Sequence, residues 1–74
     1  MNPDILALKW NQIRDDVQKR WEQLTALDVD EIEGSYDILI SKLQEKYGYT
    51  VEEASQEVNS FLEMVVKQEE RFHL

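Results

Sequence analysis

Apolar residues recur along this chain at helical spacing from one end to the other. Leu6, Trp10, Ile13, Val17, Trp21 and Leu24 follow one another at steps of 4, 3, 4, 4 and 3. Such steps keep a side chain on one face of a helix with 3.6 residues per turn. The spacing predicts a first helix from the start of the chain to about Leu24. Asn2 is a suitable cap, Pro3 suits the first helical position, and Asp4 complements the helix dipole. Asp15–Lys19 and Asp16–Arg20 are acid-before-base pairs at i,i+4, which support a solvated helix face. Trp10 and Trp21 lie about three turns apart on the same face, so they read as core anchors, or else as an aromatic binding platform.

Val29, Ile32, Tyr36, Leu39, Ile40, Leu43 and Tyr47 form a second stripe. Thr25-Ala26-Leu27 reads as the connection to it, with Asp28 as cap and Glu31 three residues on. Gly34 interrupts the stripe. A glycine inside a helix costs about 1 kcal/mol relative to alanine, so it needs a reason. Either a neighbouring helix approaches its bare backbone, or the helix breaks there, or a ligand touches it. Gly48 is the expected left-handed stop. Thr50 and Glu53 then form a capping box for a third helix carrying Val51, Ala54, Val58, Phe61, Leu62 and Val65, with Phe72 in register. The polar Lys67–Arg71 stretch is expected to fray.

Ile5, Leu8, Ile38 and Met64 fall off these stripes. They imply helices buried on two sides, a self-association surface, or plain exposure. With Phe61 and Val66 they make up the candidate interaction surface.

The chain has 74 residues, enough for one domain over 1–74. Its 42% hydrophobic and 32% charged residues suit a folded domain, and two glycines and one proline leave little room for long loops. The net charge of −8 is uneven: residues 1–27 sum to zero, and residues 28–50 and 51–74 carry −4 each. That balance disfavours nucleic acid and anionic membranes as partners. The longest apolar run near the amino terminus, Ile5–Leu8, is four residues without a basic flank, so no signal peptide is expected. No stretch approaches the roughly 20 apolar residues of a membrane span, and a cytoplasmic location is the expectation.

Chemistry-bearing patterns are sparse. There is no cysteine, hence no disulfide and no thiolate metal site. The acidic run Asp28, Asp30, Glu31, Glu33, Asp37 departs from a calcium loop, with Ile32 at position 5, Glu33 at position 6 and Leu39 at position 12. Glu70 and His73 have Glu-x-x-His spacing, but a di-iron bundle needs that motif twice. His73 is the lone histidine, no glycine-rich phosphate loop exists, and the acids all read as solvated. No enzyme activity, metal or cofactor is expected. A carboxylate-based cation or small-ligand module on Asp28–Asp37 is the alternative.

Several features stand in a telling order: Trp10 to Trp21, Trp21-x-x-Leu24-Thr25 before an acidic cap, Ile32-x-Gly34, and Leu39-x-x-Lys42-x-Gln44-x-x-Tyr47-Gly48-Tyr49. Over about residues 10–58 the chain resembles the CsbD-like family of small bacterial general-stress-response proteins. It departs from that pattern at Asp15, Asp16, Glu22, Ser35 and Ser41, where such proteins often carry lysine or glycine, and at Ala26 and Leu27, where they carry acids. Residues 61–74 form an extension beyond the resemblance. The resemblance implies an all-α bundle of three to five helices, two crossed hairpins of SAM-like form with a break near Gly34. It also implies a cytoplasmic, non-enzymatic protein of the stress response that acts by protein contact or protection. The expected partner is an unspecified protein or a second copy.

Overall fold

Thr25 decides where the first helical segment must end. Its backbone N–H donates to Asp28 Oδ2 at 3.0 Å, and the Asp28 N–H donates back to Thr25 Oγ1 at 3.1 Å. This reciprocal capping box makes Thr25 the cap, three residues before the Asp28 cap expected from sequence, and starts a helix at Ala26. The expected connection Thr25–Leu27 is thus a cap and a first turn.

The computed structural model describes residues 4–71, with side chains over 5–67. The Asn2–Pro3 cap, Phe72 and His73 lie outside the described residues, as does the side chain of Glu70. Five helices follow in order: α1 (Asp4–Leu8), α2 (Trp10–Arg20), α3 (Ala26–Ile32), α4 (Tyr36–Tyr47) and α5 (Val51–Arg71). No strand occurs among the described residues. The fold is all-helical, as the periodicity requires.

The first stripe is split, contrary to the single helix expected. A turn at Lys9 separates α1 from α2, and α2 ends at Arg20. Trp21 and Leu24 leave the helix yet stay buried, because the chain turns them inward from the loop that leads to the Thr25 cap. The stripe therefore names the core correctly while overstating the helix. Leu6, Trp10, Ile13, Val17, Trp21 and Leu24 are all buried.

The second stripe breaks at Gly34, and both structural reasons for the glycine hold. Glu33 and Gly34 adopt left-handed backbone angles, φ 46° and 79°, which end α3. A Cβ built on Gly34 would stand 2.9 Å from Ala7 Cα and 3.3 Å from Trp10 Cβ. The bare backbone thus lets the α3–α4 turn lie against the junction of α1 and α2. Ser35 restarts the chain by accepting the Ile38 N–H at 3.3 Å. Gly48 ends α4 at φ 71°. The Thr50–Glu53 box opens α5, with bonds of 2.9 and 3.1 Å.

One core joins the helices. Val29, Ile32, Leu39, Ile40 and Leu43 meet Ala54, Val58, Phe61, Leu62 and Val65 from α5, with Tyr36 and Tyr47 packed at the margin. Val51 was expected in the third stripe but is exposed, since it sits in the first turn of α5, three residues before the first buried position, Ala54. α5 continues through the polar Lys67–Arg71 stretch.

Candidate interaction groove

Two features stand out once the core is filled: a buried charge cluster and an open apolar groove. The cluster is centred on Asp28, which is only 6% exposed. The expectation that every acid is solvated fails here. Asp28 lies in the first turn of α3, so its side chain turns back toward Thr25 and faces α4. Lys42 Nζ approaches Asp28 Oδ1 at 3.2 Å, and Lys46 Nζ approaches Oδ2 at 3.5 Å. These lysines are i,i+4 on α4, so one face presents two ammonium groups to one carboxylate. Lys42 also reaches Glu31 at 3.5 Å.

The hydrogen bond from the Thr25 backbone, aided by Lys42, the Thr25 hydroxyl and Lys46, holds the Asp28 carboxyl at about 2, below its ordinary 3.8; burial opposes the shift. The bond to Asp28 pushes Lys42 upward in turn. The arrangement ties α3 to α4. The cue was present in sequence: Thr25-x-x-Asp28 is itself a capping-box pattern, read there as a loop followed by a cap.

This geometry bears on the carboxylate alternative. Asp28 is satisfied by two lysines and a backbone N–H, and Asp30 pairs with Arg14 of α2. Asp28 and Asp30 thus tie α3 to α4 and to α2. Among the described residues, no group of three or more His, Cys, Asp or Glu is placed to share a metal ion.

The groove lies between α2 and α5 and is lined by Asp16, Arg20, Phe61, Met64 and Val65, with a volume of about 210 Å³. α5 supplies Phe61, Met64 and Val65 from adjacent turns of one face, and α2 supplies the two charges one turn apart. Phe61 is buried, its ring centroid 5.3 Å from that of Trp21. Trp21 in turn lies under Arg20, whose guanidinium carbon is 5.8 Å from the ring centroid. Arg20 also reaches Glu57 of α5 at 3.7 Å.

The six residues of the candidate surface therefore part company. Phe61 belongs to the core and floors the groove rather than standing on the surface. Ile5 packs partly buried against the core, and Val66 is half-buried. Leu8 is 83% exposed, Met64 51% and Ile38 41%. Of these three, Met64 lines the groove. Leu27 is a further exposed apolar residue, hidden from the sequence reading because it was placed in a connection. Neither tryptophan forms a platform; both are core anchors. Among the described residues no helix is long and apolar enough to cross a membrane.

No family model matches the chain, and no solved structure matches it. Curated relatives do. A UPF0337 protein of Pseudomonas aeruginosa is 41% identical over 61 residues, which cover 82% of this chain and 94% of the relative. One from Xanthomonas axonopodis is 41% identical over 61 residues, covering 82% of this chain and 88% of the relative. UPF0337 protein YjbJ of Escherichia coli is 41% identical over 58 residues, covering 78% of this chain and 84% of its own length. With most of each relative's length matched at this identity, the chain belongs to the UPF0337 protein family.

Proposed function

We propose that this chain is a non-enzymatic, cytoplasmic interaction module of the bacterial general stress response. The stress assignment rests on the resemblance to CsbD-like proteins alone; the UPF0337 relatives support the family. The observation that carries the interaction reading is the α2–α5 groove, where apolar Met64 and Val65 stand beside Asp16 and Arg20 on a chain otherwise rich in surface charge. An apolar hollow with a polar rim is the shape of a protein contact site. The carboxylates at the start of α3 are engaged by Lys42, Lys46 and Arg14, which favours contact over cation binding.

The test is rescue of a host strain lacking the chain. Wild type is expected to restore survival under stress, Met64→Glu to fail, and Ile38→Glu on the exposed face of α4 to succeed. Circular dichroism checks that each variant is folded. Equal rescue by Met64→Glu would remove the groove from the function, and no stress phenotype would remove the stress role.

A further inference from the structure

Resting on the interaction reading, we propose that the occupant of the α2–α5 groove is a second copy of this chain, laid antiparallel along α2. The argument starts from charge. The groove face of α2 carries Asp16 and then Arg20, acid before base along the helix. Reversing the direction of a second α2 sets the Asp16 of each copy against the Arg20 of the other. A two-fold contact requires such self-complementarity, because every pairing occurs twice.

Asp16 is available for it. It makes no ion pair among the described residues, although its i,i+4 spacing offers an Asp16–Arg20 pair within the helix. Arg20 is already oriented, held on Trp21 and Glu57. The contact also has an apolar centre. Met64 is half exposed at the groove, above buried Phe61 and Val65. An antiparallel α2 seated there would cover it on both copies.

The distribution of charge selects this face over the others. Residues 1–27, which include α1 and α2, sum to zero, whereas the remaining residues carry all of the −8. Two copies approaching through α3, α4 or the outer face of α5 would set acid against acid. A strongly basic partner would be drawn to those same acidic helices and not to the balanced groove. The second copy is the partner whose charge matches this face.

Charge reversal tests the pairing. Molar mass by light scattering, read over a concentration series reaching the millimolar range, should rise from 8.8 kDa toward twice that value. Asp16→Lys alone, and Arg20→Asp alone, each place like charges opposite one another and should weaken the dimer about tenfold. An equimolar mixture of the two variants places opposite charges together again and should recover dimer. Met64→Glu should remove it in every combination. Each substitution lies on an exposed side chain, and helix content by circular dichroism confirms the fold. A wild-type mass fixed at 8.8 kDa throughout would overturn the proposal, and so would a mixture no more dimeric than its components. In either case Met64-dependent stress rescue would leave the interaction reading standing with a different partner. Loss of both would remove both.

Discussion

Asp28 is the residue whose chemistry departs furthest from its sequence setting. In a run of five acids it is the one that is buried, and it accepts from Thr25 while facing Lys42 and Lys46. Replacing it with asparagine keeps an acceptor for the Thr25 N–H but leaves two ammonium groups facing an amide. Hydrogen bonds to charged groups contribute about 1.5–3 kcal/mol, so Asp28→Asn should destabilise the fold by about 2 kcal/mol in urea unfolding at neutral pH. The pH dependence has a definite sign. The folded-state value is about 2 against 3.8 for the free side chain. The contribution is therefore complete above pH 3.8 and is lost as pH falls through about 2. The stability gap between wild type and Asp28→Asn should narrow across that window. A gap that stays constant down to pH 2 would show that the carboxylate does not hold these lysines.

At the scale of helices, the two glycines separate backbone conformation from packing. Both have positive φ, 79° at Gly34 and 71° at Gly48. Around Gly48 nothing lies within 4 Å of an added Cβ, whereas at Gly34 the Cβ meets Ala7 and Trp10. Gly48→Ala should cost only the left-handed strain, about 1–2 kcal/mol. Gly34→Ala should cost at least about 1 kcal/mol more, because backbone must move. Thermal unfolding of the two variants side by side checks this, and equal losses would mean that the crossing is loose. The same elements show what was legible beforehand. Helical spacing named all sixteen buried apolar residues of the described chain by stripe alone, placed the Gly48 stop, and left Gly34 open between a close approach, a break and a ligand contact. Val51 was the one stripe residue found exposed, because periodicity knows nothing of how far a core extends. Helix ends were harder. Trp21 and Leu24 keep a helical interval while lying in a loop, and tertiary burial, not hydrogen bonding, maintains it. The candidate surface was legible only as residues off stripe; that Met64 meets α2 and Ile38 does not depends on how the helices cross, which no local spacing encodes.

The whole molecule joins a neutral first third to two acidic ones. Its radius of gyration is 11.9 Å and its extents are 39 × 24 × 19 Å. A 21-residue helix is about 31 Å long, so α5 alone accounts for most of the long dimension. Copies of a molecule with a charge of −8 repel one another at long range. At about 0.15 M salt the screening length is about 8 Å, so that repulsion fades while close pairs retain most of their attraction. The self-contact is consequently weak and concentration-dependent, and it is confined to the one balanced face. The measurement that tests this most directly is the backbone amide NMR spectrum of the chain over a concentration series at that salt. The account predicts progressive shifts at residues 12–20 of α2 and 61–66 of α5, with the amides of α3 and α4 unmoved. Shifts centred on α3 and α4, or a spectrum that does not change with concentration, would contradict it.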